Sequence, residues 1–287
     1  MKVLAFGEIL WDVYPDRKYL GGAPLNFAAH LAKHAEEAYM LSSVGEDELG
    51  KEAVERILQW GVCADYITYN TCKQTGKCLV TLDERSVPSY QLLEDVAYDH
   101  IPCSEINDDF DVLYFGTLAL RSAENRKALI EILQNHCFKE IFVDINIRPP
   151  FYSDETVTFA IEQATILKIS EEELPAVYEA MKIPDATDYR EFTRLLARKC
   201  ERLSCVIVTL GEKGAYVLDC RYQKAYDCGS PAVQVQSTVG AGDSFSAAFL
   251  SKFMRGCDIP TCLSHAVKVA AFVVSEFDAV PDYTIYE

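Results

Sequence analysis

Short apolar, β-branched runs alternate with helical patterns along most of this chain, and no other feature limits its fold as strongly. Val3–Phe6 reads as a strand, Leu25–His34 as a helix, Tyr39–Val44 as a strand again and Leu49–Trp60 as a helix. Later come Val112–Phe115, Ile141–Ile145, Ile166–Ile169 and Val206–Leu210, each mostly apolar, as strands buried on both faces are. The pattern predicts an α/β fold with a mostly parallel central sheet and helices on both of its faces. At 287 residues the chain is near the upper limit for one hydrophobic core, so residues 1–287 read as a single domain with a small appendage. The stretch 65–96 breaks the rhythm. Tyr66–Tyr69, Lys77–Leu82 and Ser89–Leu93 are strand-like, with turn residues between them and no helical pattern, which predicts an antiparallel appendage off the main sheet. Asp219–Gln236 has similar strand and turn chemistry.

Charge excludes some functions. Lys and Arg number 27 against 44 Asp and Glu, a net charge of −17, which opposes binding to nucleic acid or to an anionic membrane. No run approaches the ~18 apolar residues of a membrane span, and M-K-V-L-A-F-G-E carries no leader pattern. Eleven cysteines are scattered with no C-x-x-C, as reduced and mostly buried thiols of a cytoplasmic protein are. An anionic substrate would need local positive charge or backbone donors.

The segment S-T-V-G-A-G-D-S-F, Ser237–Phe245, supplies such donors. It runs into an apolar helical pattern (Phe245, Ala248, Phe249, Phe253). The first amides of a helix have no internal acceptors, and with the helix dipole they attract phosphate. Asp243 sets a carboxylate at the rim of that cradle, the pairing needed to move a phosphoryl group onto a hydroxyl.

Other clusters follow predicted strands or open predicted helices. Gly7-Glu8-Ile9-Leu10-Trp11-Asp12 follows the first strand and places Asp12 near its C-terminal end, where open α/β sheets bind ligands. Gly21-Gly22-Ala23-Pro24-Leu25-Asn26 opens a helix, with Pro24 suited to its first turn. Asp12 and Asn26 together could hold a polyhydroxylated ligand. Asp144-Ile145-Asn146-Ile147-Arg148 ends a strand and offers a guanidinium to phosphate. Lys168-Ile169-Ser170-Glu171-Glu172-Glu173 brings carboxylates that could hold Mg²⁺ through water or simply favour a helix start. Thr209-Leu210-Gly211-Glu212-Lys213-Gly214 ends another strand in a glycine turn. A parallel sheet would gather these clusters on one edge.

Two tempting motifs are set aside. Gly45–Lys51 matches the glycine and lysine positions of a Walker A loop, but Glu52 stands where Ser or Thr should hold Mg²⁺, and Glu46, Asp47 and Glu48 would repel phosphate. His30 and His34 have helical i,i+4 spacing without a catalytic Glu between them, and read as partly exposed helix-surface residues.

These motifs make the chain resemble the PfkB/ribokinase family of carbohydrate kinases over essentially its whole length. Gly21–Asn26 is similar to the N-terminal signature in its fructokinase form and Val239–Phe245 to the C-terminal signature. Asp144–Arg148 resembles the fructokinase D-x-N-x-R segment, and Thr209–Gly214 the nucleotide-side glycine turn. The resemblance implies a three-layer α/β/α ribokinase-like core with a small β-sheet lid formed by about 11–20 and 65–96. It implies ATP-dependent phosphorylation of a primary hydroxyl of a monosaccharide, fructose first, in a possible homodimer joined through the lid. Asp243 would be the base, and the amides of Gly240, Ala241 and Gly242 the anion hole. Asp12, Gly22, Asn26 and Arg148 would face the substrate. Lys168, Thr209, Gly211 and Gly214 would lie on the nucleotide side, and Glu173 would organise Mg²⁺. In two places the chain departs from the family pattern. Ser170 replaces the usual Asn of the N-x-x-E element. Ser237 replaces the Asp that opens the C-terminal signature, which argues against K⁺ activation. A kinase of this fold for 2-keto-3-deoxygluconate, ribose or a nucleoside remains open, as does a non-catalytic sugar-binding protein on the same scaffold.

Overall fold

The computed structural model describes residues 1–82, 88–102, 106–183 and 186–283. In chain order the strands of its main sheet are β1 (Lys2–Phe6), β4 (Glu37–Gly45), β5 (Ile67–Asn70), β8 (Val112–Phe115), β9 (Glu140–Asp144), β10 (Ile166–Ser170), β11 (Cys205–Thr209), β12 (Ala215–Asp219) and β13 (Lys224–Cys228). A smaller sheet is made from β2 (Leu10–Val13), β3 (Lys18–Gly21), β6 (Gly76–Leu82) and β7 (Pro88–Leu92).

The main sheet runs in the order β13-β12-β11-β10-β9-β8-β1-β4-β5, parallel except for β12 and β13. Its strands alternate side chains between two cores, the reason the runs read as continuously apolar. Val3 and Ala5 face one core with helices α1 (Ala23–Lys33), α2 (Glu48–Gln59), α7 (Ala241–Met254) and α8 (Ile259–Val274). Leu4 and Phe6 face the other, with α3 (Ala123–Asn135), α4 (Asp154–Gln163), α5 (Leu174–Met181) and α6 (Tyr189–Lys199). The three-layer α/β/α reading is therefore what the chain adopts.

The chain leaves β1 toward β4 on one side and later returns to β8 on the other. Strand order reverses at β1, and ligands of open α/β sheets bind beyond the strand ends at such a point. Two placements differ from the sequence reading. Ile67–Asn70, expected in the appendage, pairs in parallel with Ser42–Gly45 at the edge of the main sheet. Asp12, expected near the end of β1, instead rides on β2 in the small sheet, opposite Tyr19 and Cys78. Residues 83–87 of the 65–96 stretch lie outside the described residues. A third apolar cluster, Leu10, Cys78, Val96, Tyr98 and Leu118, joins the small sheet to the body.

Candidate active site

Helix α7 begins at the glycine loop because Gly240 can turn the chain. Its φ is +80°, and a Cβ there would stand 2.4 Å from Ala279 O. Phe245, Ala248, Phe249 and Leu250 then bury the helix in the first core, which fixes the direction of its first turn. Ala241 N–H reaches back to Thr238 O at 3.4 Å. Asp243, on that first turn, accepts a 2.8 Å hydrogen bond from Asn26 Nδ2 across 217 residues of sequence. Asn26 is fixed in turn by the start of α1, where Gly22 (φ +117°) packs so tightly on Glu8 that a Cβ would meet Glu8 O at 2.3 Å.

Beneath this pair lies a buried ion pair. Lys168 Nζ donates to both Asp144 oxygens at 2.9 and 2.7 Å, and Ser246 and Tyr114 hydroxyls donate to Asp144 Oδ2 at 3.2 and 3.4 Å. A Cβ on Gly242 would stand 3.1 Å from Lys168 Nζ, so glycine is what lets the loop settle over the ammonium. Lys168, expected on the nucleotide side, is instead enclosed here with Asp144, because a buried ammonium requires a carboxylate partner. Burial first, and then the negative charge of Asp144, raise the Asp243 pKa to about 6 against the opposing pull of Asn26, Lys168 and Arg148. A carboxylate poised there can take a proton near neutral pH.

A Cβ on Gly21 would stand 3.6 Å from Asp12 Oδ2, and the Asp12 proton affinity is raised by burial and lowered by the Cys78 thiol and by Arg148. Arg148 is exposed just past β9, and its field reaches Glu8, Asp12 and Asp243. The structure thus brings Asn26 and Asp243 into direct contact, and the charge of Arg148 acts on both Asp243 and Asp12. Glu8 was missed as a site residue. It is buried, its Oε1 accepts from Ala23 N–H at 3.2 Å, and burial raises its pKa to about 7. Its sequence signal is its place between Gly7 and Asp12 in the segment after the first strand.

Glu173 caps α5 from its N-terminal side, and its two oxygens accept from Ile147 N–H and Ser170 N–H, each at 2.7 Å. Among the described residues no group of three His, Cys, Asp or Glu side chains could hold a metal ion. Through its two backbone contacts Glu173 braces the loops after β9 and β10. Thr209 O accepts from Glu171 N–H at 2.9 Å, and Lys213 pairs with Glu171 at 3.1 Å, so the Thr209–Gly214 turn is tied to the loop after β10. Gly214 is required there, since a Cβ would lie 1.9 Å from Cys228 O; Gly211 (φ +57°) has open space beside it.

The rejected motifs have structural roles. Asp47 caps α2 through Gly50 N–H at 2.8 Å and anchors Thr75 through two further bonds. His30 and His34 are buried, which corrects the partly exposed reading, and burial keeps both neutral, with pKa values near 4 and 3. The face of α1 that carries them is covered by the C-terminal segment and α8: His30 bonds Ala279 O and Tyr283 Oη, and His34 packs edge-on against His265. Ten described cysteines are free; four are buried and two, Cys72 and Cys137, are exposed. No helix among the described residues is long and apolar enough to cross a membrane.

A glycine loop opening a buried helix, with a carboxylate on its first turn whose pKa is raised to about 6, stands on an open α/β sheet. Residues 7–284 match the model of the pfkB family carbohydrate kinases, and the chain belongs to that family. It is an ATP-dependent carbohydrate kinase. A probable fructokinase of Arabidopsis thaliana is 28% identical over 275 residues, spanning 86% of this chain and 81% of that protein. The 5-dehydro-2-deoxygluconokinase of Bacillus velezensis is 26% identical over 275 residues, 90% and 80% of the two chains. An uncharacterized sugar kinase from Pyrococcus horikoshii, solved in complex with ATP, superposes with a TM-score of 0.81 at 25% identity, over 97% and 94% of the two chains.

Proposed function

We propose that this kinase transfers the γ-phosphate of ATP to a primary hydroxyl of a monosaccharide, with fructose as the first acceptor. The observation that carries the reading is the Asn26–Asp243 hydrogen bond, which joins the acceptor-side helix to the anion-side helix at one carboxylate. The acceptor hydroxyl gives its proton to Asp243 as its oxygen bonds to the γ-phosphorus, and the bond from phosphorus to the ADP oxygen breaks. Such transfer needs alignment and charge neutralisation more than covalent help. The amides of Gly240, Ala241 and Gly242, with Arg148, meet the oxygens that gain charge. Asp12, Gly22 and the otherwise unpartnered, buried Oδ1 of Asn26 receive the sugar. Thr209, Gly211 and Gly214 lie toward the nucleotide, and magnesium enters with ATP as part of the substrate. The small sheet acts as a lid that excludes water, which would otherwise hydrolyse ATP. Two of its tyrosines, Tyr19 and Tyr90, are exposed and offer a surface for a homodimer.

A sugar acid is the second reading, favoured by Arg148, an exposed guanidinium beside the acceptor residues that could hold a carboxylate, and by the dehydrodeoxygluconokinase relative. ADP release measured across fructose, ribose, 2-keto-3-deoxygluconate and adenosine separates the readings. Fructose should give the highest kcat/KM, a higher value for the sugar acid transfers the assignment to it, and sugar binding without ADP from any acceptor removes the kinase reading. Potassium should leave the rate unchanged, because Ser237 lacks the negative charge a cation would require.

A further inference from the structure

Tyr98 is fully buried, and among the described residues its hydroxyl has no hydrogen-bond partner. A buried hydroxyl left unpaired is costly, so its persistence requires explanation. The side chain cannot swing to find a partner. Its ring is wedged against Gly76, where a Cβ would come within 2.5 Å of two ring carbons. On another side the Arg121 guanidinium lies 5.0 Å from the ring centre, itself locked to Asp99 at 2.7 and 2.8 Å and to Leu93 O at 2.7 Å. The Tyr98 backbone is pinned as well, its carbonyl accepting from Asn125 Nδ2 at 2.8 Å.

Tyr98 is held within electrostatic reach of Glu8 and Cys78. Glu8 lies against Gly22 and Ala23, and Cys78 sits opposite Asp12, whose carboxylate bonds its thiol. Both neighbours therefore border the space between Asp12 and Gly22. A second unpartnered buried atom, Asn26 Oδ1, belongs to the same acceptor side. Two orphaned buried polar atoms on rigid supports are what the hydroxyls of a polyhydroxylated ligand would satisfy.

We propose that Tyr98 is a specificity-determining residue of the acceptor pocket, its phenolic hydroxyl exchanging a hydrogen bond with a sugar hydroxyl other than the one phosphorylated. This rests on reading Asp12, Gly22 and Asn26 as the sugar subsite. The Arg121–Asp99 pair and Asn125 act through Tyr98 as positioning residues.

The test is Tyr98→Phe in the full chain, which keeps the ring between Gly76 and Arg121 and should not lower the melting temperature. With the best acceptor of the panel, KM for the sugar should rise about tenfold, the worth of one neutral hydrogen bond, while KM for ATP stays unchanged. Acceptors lacking one hydroxyl at a time give a readout that a purely structural tyrosine would not move. One deoxy sugar should be about tenfold worse with the wild type and no worse than its parent with Tyr98→Phe. A sugar KM within twofold of wild type, or equal losses for every deoxy sugar in both proteins, overturns the inference and leaves the kinase reading standing. A wild type that phosphorylates no acceptor removes both.

Discussion

Asp243 and Glu8 are carboxylates of one site whose proton affinities are both raised by burial, to about 6 and about 7. Asp243 must be ionised to accept a proton, so kcat/KM should fall about tenfold per pH unit below about pH 6, as a pH–rate profile would record. Asp243→Asn should lower kcat by about 10²–10⁴ and abolish that limb with sugar affinity nearly kept; near-wild-type turnover would take Asp243 out of the mechanism. Glu8 bears on stability. Its folded-state pKa lies above its unfolded value of 4.5, so the stability it contributes is complete below about pH 4.5 and is lost as pH rises through about 7. Glu8→Gln should therefore be more stable than wild type at pH 8, by up to about 3 kcal/mol in denaturant unfolding, and match it near pH 4. A variant equally stable or weaker at pH 8 would show that Glu8 is compensated by groups other than those described.

Each element that carries a site residue is held by its own apolar face, so the loop between elements can be irregular. The start of α7 is the clearest case, with Gly240 at φ +80° and Ala279 O pressed against its Cα. Gly240→Ala adds both backbone strain and a collision, and should cost at least about 2 kcal/mol with a marked loss of turnover. Gly211→Ala, at φ +57° but with nothing within 4 Å, should cost only about 1 kcal/mol. Thermal melts and steady-state kinetics on the two variants compare them directly; equal effects would mean that the Ala279 contact does not hold the cradle. Lys51, in the Walker-like segment, pairs with Glu48 one helical turn away on the exposed side of α2.

At the scale of the molecule, the sheet order decides what meets. Strand reversal at β1 lets α1 and α7 converge, and Asp12 is carried on the small sheet. The same small sheet leaves Tyr19 and Tyr90 exposed at 38% and 59%. Sedimentation should therefore give about twice the 32.2 kDa chain mass, and Tyr90→Glu should shift it toward one chain. A wild-type mass of one chain at all concentrations would rule out the dimer. The charge of −17 should also leave the protein unretained on DNA at low salt.

Periodicity along the chain determined the element types, the two-sided burial of the central strands and the glycine loop before α7, because these depend on neighbours within a few residues. Asn26 and Asp243 were readable as chemistry, but their contact spans 217 residues and exists only once α1 and α7 pack. Tertiary structure alone decided that Lys168 serves Asp144, that His30 and His34 are covered, that Ile67–Asn70 joins the main sheet and that Glu8 and Tyr98 are buried. The physical reason is that burial, and the proton affinity and bonding it imposes, is set by which distant surfaces pack together. A local pattern of apolar and polar residues specifies which face turns inward without specifying what that face will meet.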